Sequence, residues 1–152
     1  GLDASPGDAA RIALDWFRTQ HGEAGDLRAG EPVRVVRLDD SSRGYFLVPL
    51  RDDAGLSGIV QVDARSGAVE TSARIADPSA AFLLPPARAL AAARAARPTL
   101  SGWGSPFLGW RPCKESFDAM QPLWVVPHGD GVVYVDRSGR VFGALSVSGR
   151  GG

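Results

Sequence analysis

The chain has 152 residues, 17 basic and 17 acidic side chains, and a formal net charge of zero. That length suits one compact domain, residues 1–152, or two small halves sharing a core. Zero net charge with singly spaced basic residues argues against a nucleic-acid partner, and no apolar run nears the ~20 residues of a bilayer crossing, so no membrane partner is expected either.

Ser5-Pro6 reads as a helix start, with Ser5 as N-cap and Pro6 at the first helical position. Asp8 adds negative charge to the first turn. Ala9, Ile12, Ala13, Trp16 and Phe17 recur at helical spacing and predict one apolar face over residues 6–20, with Gly22 as C-cap. His21 is expected at the helix end, where its charge complements the dipole.

Strands follow. Val33, Val35 and Leu38 mark the first, and Asp39-Asp40-Ser41-Ser42 a turn. Tyr45 to Leu50 is almost wholly apolar and reads as a central strand, with Pro49 predicting an end or a bulge there. Residues 51–57 are expected to be a loop, residues 58–63 a third strand, and residues 68–75 a fourth, joined through a turn in which Gly67 supplies positive φ. Asp77-Pro78 stops the sheet. Ala87 to Arg97 consists of Ala, Arg and Leu, a helix on propensity alone, and Pro98 ends it.

The last third repeats the hairpin. Gly58-Ile59-Val60-Gln61-Val62-Asp63 aligns with Gly131-Val132-Val133-Tyr134-Val135-Asp136, and Ser66-Gly67 with Ser138-Gly139 after one residue is dropped from the turn. Leu47-Val48-Pro49 likewise echoes Val125-Val126-Pro127. The expected fold class is therefore α+β, a curved antiparallel sheet packed against helices. Two tandem half-repeats, residues 5–76 and 85–148, are expected, the competing reading being that a common turn chemistry arose twice.

Residues 99–122 fit neither half. This insertion holds Trp103, Phe107, Trp110, Arg111 and Phe117, broken by Pro106, Pro112 and Pro122, and Trp124 follows just beyond. No period is sustained, although Lys114 to Met120 could form a short helix. Aromatics and Arg are enriched in binding hot spots, so these six residues are the candidate binding set; the binding and structural roles can coexist, with Trp103 inward and Trp110 outward. The competing expectation is that the rings plug the core between the halves.

Catalytic chemistry is thin. Cys113 is the lone cysteine, flanked by Arg111 and Lys114, whose charges favour a thiolate where they approach it. With His128 as base and Asp130 as its orienting group it makes the one nucleophile–base set the sequence allows; a half-buried core thiol is the competing expectation. One Cys and two distant His make no zinc pattern, and Asp39-Asp40 and Asp52-Asp53 lack calcium-loop spacing. Gly102-Trp103-Gly104 is no phosphate cradle, and Ser101, Ser105 and Ser116 lack a nucleophile elbow. Neither metal nor cofactor is expected.

The helix pattern Ile12-Ala13 to Trp16-Phe17, the run Tyr45 to Leu50 and the hairpin Gly58 to Val69 together resemble the small helix-on-sheet modules of the PepSY and cystatin-like type. Such modules occur in propeptides of secreted bacterial proteases and in related inhibitors, and bacterial immunity-type proteins carry a similar hairpin. The resemblance covers residues 8–75 and, in part, 123–147, and omits 99–122. It implies binding or inhibition of another protein, with no catalytic residues.

Sixteen of the 17 basic residues are Arg, a bias of GC-rich bacterial genomes. The absence of a visible leader and the lone cysteine favour the cytoplasm. The expected function is a non-enzymatic protein-binding module, acting through residues 99–122 or a sheet edge, with self-association as a variant. The alternative is a small-molecule-binding or enzymatic protein whose pocket, lined by Trp103, Trp110 and Tyr134, lies between helix and sheet with Cys113 and His128 at its rim.

Overall fold

The computed structural model describes residues 3–22 and 26–146. The last two residues of the expected half 85–148 lie outside them. The chain divides into two compact units, residues 1–36 with 40–82 and residues 37–39 with 83–152. Each is α+β, a curved antiparallel sheet carrying one helix.

In the first unit, α1 spans Pro6–His21. Ser5 Oγ accepts the Asp8 amide and the Asp8 carboxylate accepts the Ser5 amide, a capping box that satisfies two donors at the helix start. The strands are β1 (Arg28–Ala29), β2 (Val33–Arg37), β3 (Gly44–Asp52), β4 (Gly55–Asp63) and β5 (Val69–Arg74). Their order is β5-β4-β3-β2, with β1 also paired to β3. Ala9, Ala13 and Phe17, one helical stripe, pack on Phe46, Val48 and Leu50 of β3 and Val60 and Val62 of β4. A Cβ at Gly58 would stand 2.6 Å from the Phe17 ring, so only glycine lets that ring lie on the strand. Trp16 is half-buried instead of joining this core.

The expected loop over residues 51–57 is instead a tight hairpin. β3 runs on to Asp52 and β4 begins at Gly55, with the Asp52 carboxylate accepting the Ala54 amide. Polar Arg51-Asp52-Asp53 disguised the strand end, yet Leu56 just beyond is fully buried. The bulge foreseen at Pro49 falls one residue later, between Leu50 and Arg51.

The second unit repeats the plan with α2 (Pro86–Ala96), β6 (Phe107–Trp110), β7 (Leu123–His128), β8 (Gly131–Val135) and β9 (Val141–Phe142), in sheet order β6-β7-β8-β9. Ala89 and Ala93 pack on Val126, Val133 and Val135. These are the hairpin positions that Val48, Val60 and Val62 hold in the first unit.

The two hairpins share one register. Val48 faces Val60 as Val126 faces Val133; Pro49 faces Ile59 as Pro127 faces Val132. The turns also match. Asp63 accepts the Ser66 amide and hydroxyl, and Asp136 accepts those of Ser138. Gly67 and Gly139 then take φ of 76° and 90°, where a side chain would be strained. The halves are alike in structure as well as in sequence.

Residues 99–122 are more ordered than expected. β6 lies inside them, paired to β7 through Phe107–Val125 and Gly109–Leu123. Pro106 and Pro112 bracket the strand and Gly109 breaks its apolar pattern; a Cβ there would meet Leu38 at 2.8 Å. No helix forms over Lys114–Met120. Ser116 and Asp118 hydrogen-bond the local backbone instead, and Cys113 bridges to Ser116.

Candidate functional site

Every candidate residue named from the sequence belongs to the second unit. Trp110 faces inward, as the reading of these rings as structural expects and against an outward Trp110. Its ring is 8% exposed, its Nε1 donates to the Ser116 carbonyl at 3.1 Å, and the Arg37 guanidinium lies 5.2 Å from the ring centroid. The Leu38 amide donates to the Trp110 carbonyl, and Arg37 is held by Asp39 at 2.7 Å. Trp110 thus pins the segment that follows it.

Trp124 and Trp103 are also committed to the fold. The Trp124 indole donates to the Leu84 carbonyl at 2.8 Å, and both rings pack against the α2 core. Trp103 is half-buried and meets the His128 ring edge-on at 5.4 Å. Arg111 donates to the Leu145 carbonyl, and Glu115 accepts the amide and hydroxyl of Ser146, so the segment after β6 holds residues 145–146 in place. Burial pushes the Glu115 pKa up, but the Ser146 donors outweigh it and hold the carboxyl below its usual range.

Cys113 and His128 are not brought together. Cys113 is fully buried and points its thiol at the Ser116 carbonyl, beyond the Leu123 end of β7. His128 closes the opposite end of that strand, roughly 15 Å away along it. Asp130 is exposed in the β7–β8 turn. The thiol is therefore at no rim and faces no imidazole. Among the described residues, no group of three or more His, Cys, Asp or Glu could hold a metal ion, and no helix is long and apolar enough to cross a membrane.

Among the described residues, two large aromatics of this segment are exposed. Phe107 is 42% exposed on β6, and Phe117 is 77% exposed. The Phe117 loop is held by hydrogen bonds on both sides of the ring. The buried Ser116 accepts Trp110 and Cys113 at its carbonyl and gives its hydroxyl to the Gln121 carbonyl at 2.6 Å. The Asp118 carboxylate accepts the Met120 amide, and the Asp118 carbonyl accepts the Gln121 amide. Ser116 and Gln121, on either side of Phe117 in sequence, also line a cleft of about 330 Å³ whose other walls include Glu115, Asp136, Arg137 and Arg140. The site is an exposed aromatic ring on a hydrogen-bonded loop whose residues Ser116 and Gln121 line a polar cleft of mixed charge.

Residue type alone marked Phe117, but not its difference from the tryptophans. The partial signal was its setting: Phe117 lies between the turn formers Ser116 and Asp118, outside any strand, whereas Trp110 and Trp124 sit in strands, although Phe107 is exposed in a strand too.

Two of the outer strands, β5 and β9, are less inviting. β5 carries Glu70 and Arg74 and a bulge opposite Gln61/Val62, devices that blunt an edge, and β9 has only two residues.

No family model and no curated protein matches the chain. Among solved structures it is similar to one titled a "putative lipoprotein" from Clostridium difficile 630, at 13% identity and a TM-score of 0.31, over 88% of this chain and 89% of that one. No function follows from that likeness.

Proposed function

We propose that this chain is a non-enzymatic protein-binding module whose contact surface is Phe117 with the cleft beside it. The observation that carries the reading is a phenylalanine left 77% exposed on a loop whose backbone is tied by Trp110, Cys113, Ser116 and Asp118. A ring held out on a pre-ordered loop loses little entropy when a partner covers it, which makes it an efficient anchor. Glu115, Arg137 and Arg140 around the cleft offer both charges to a partner's rim. The partner is thus a protein with an apolar socket ringed by polar groups. The loop is favoured over strand addition at β5 or β9, which are protected or short. The likeness of residues 8–75 to helix-on-sheet inhibitor modules supports the same class.

The test is capture from lysate of the source organism with the chain as bait, beside a Phe117→Ser variant of unchanged melting temperature. A stoichiometric protein bound by the parent and reduced about tenfold or more by Phe117→Ser supports the reading. A partner held equally by both chains removes Phe117 from the interface and refutes it.

A further inference from the structure

The two units repeat each other beyond the hairpins. Val33 faces Leu47 as Phe107 faces Val125, Arg34 faces Phe46 as Leu108 faces Trp124, and Val35 faces Tyr45 as Gly109 faces Leu123. Val36 then stands where Trp110 stands. Two valines of β2 are thus a glycine and a tryptophan in β6, and the connection that follows is residues 37–43 in the first unit but the longer 111–121 in the second.

One cluster of contacts accounts for both departures. Arg37–Asp39, the start of the first connection, belongs by its contacts to the second unit. The Leu38 amide donates to the Trp110 carbonyl at 2.9 Å. The Leu38 side chain takes the room that Gly109 leaves, since a Cβ there would stand 2.8 Å from Leu38 Cδ2. Arg37 lies 5.2 Å from the centroid of the Trp110 ring, and two bonds to the Asp39 carboxylate, at 2.9 and 2.7 Å, orient its guanidinium.

Trp110 carries this grip onward to Phe117. Its Nε1 donates at 3.1 Å to the carbonyl of Ser116, the residue just before the exposed ring. Beyond Ser116, the bonds from Met120 and Gln121 to Asp118, and from Ser116 to Gln121, close the loop on itself. Those local bonds give the loop its shape, whereas Trp110 and Cys113 give Ser116 its place on the fold.

We propose that Arg37 and Leu38 are positioning residues for the Phe117 surface, acting through Trp110 to hold the loop in the conformation that displays the ring. The importance of this for binding rests on the reading of Phe117 as a contact residue. A surface that is competent only part of the time binds more weakly by that fraction.

The test needs no partner. Hydrogen exchange followed by NMR on the full chain compares the parent with Arg37→Gln and Leu38→Ala. In each variant, exchange of the Trp110 indole N–H and of the Met120 and Gln121 amides is expected to rise at least about fivefold, while the amides of Val126 and Val133 in the hairpin change less than about twofold. A contribution to global stability alone would speed the hairpin amides as much as the loop. Unchanged loop exchange, or a rise shared equally by the hairpin, overturns the proposal. Arg37→Gln alters only a side chain near the surface and decides the matter even where Leu38→Ala does not fold. A loosened loop together with capture that ignores Phe117→Ser upholds the positioning and refutes the binding reading; a loop left tight in both variants refutes the positioning alone.

Discussion

Replacing Trp110 by Phe, and separately Phe117 by Ala, separates the ring that builds the site from the ring that the site displays. Trp110→Phe removes the indole N–H from the Ser116 carbonyl, which lies in a buried residue and is left with its Cys113 contacts, the thiol and the Cys113–Ser116 bridge. Leaving that acceptor under-satisfied costs about 1–2 kcal/mol. The smaller ring, in a site 8% exposed, costs about 1 kcal/mol more in lost burial. A total near 2–3 kcal/mol lowers the melting temperature of a chain this size by about 5–10 °C. Phe117→Ala removes a side chain that is 77% exposed and stays within about 0.5 kcal/mol of the parent. Differential scanning calorimetry on the two variants and the parent decides the matter. A neutral Trp110→Phe, or a Phe117→Ala that costs more than about 1 kcal/mol, refutes the assignment of roles.

Gly58→Ala places a methyl 2.6 Å from Phe17, and urea unfolding is expected to show a loss of about 1–3 kcal/mol; full stability would mean that α1 can lift off the sheet there. Cys113, with no exposed surface, is expected to react with a thiol reagent only as fast as the chain opens, and immediate labelling of the native protein would contradict its burial. Asp8 is held below the usual carboxyl range by the Ser5 amide and Arg11, and Asp77 by the Ser79 hydroxyl and amide. Burial raises the Asp63 pKa, but the Ser66 and Arg65 donors outweigh it and leave it lowered. A carboxyl whose pKa is lower folded than unfolded adds stability that is complete above the unfolded value, about 4, and is lost as pH falls through the folded one. Thermal unfolding followed from pH 5 to about pH 2 should therefore show a steep fall in the parent and a shallower one in Asp63→Asn; identical slopes would dismiss the turn carboxylate as a source.

Local chemistry made much of this fold legible. Ser5-Pro6 with Asp8 specifies a helix start through groups only three residues apart, and the capping box forms as those residues require. The two Val-Asp hairpins align in sequence and adopt one register, because valines facing a helix and an Asp closing a turn have few other ways to be satisfied. Legibility failed where a strand was too short or too polar at its end to show a period. Phe107 to Trp110 has four residues with a glycine inside, and its place in the sheet depends on Leu123 to Val125, far along the chain. Arg51-Asp52 resembles a loop until its pairing with Gly55-Leu56 is seen. The candidate site was half legible for a related reason. Composition identifies an aromatic segment, but which ring is buried depends on carbonyls such as Leu84, 40 residues from Trp124. Cys113 and His128 were separated by strand direction, which no local pattern encodes.

Photo-crosslinking from position 117 tests the binding reading most directly. With p-benzoylphenylalanine in place of Phe117, irradiation in lysate is expected to join the chain to one dominant protein. The same probe at Arg65, exposed in the first unit's turn, should capture no such product. A crosslink to a second copy would identify self-association through this loop. If position 117 yields no product above that of position 65, Phe117 is not an interface residue and the central claim is wrong.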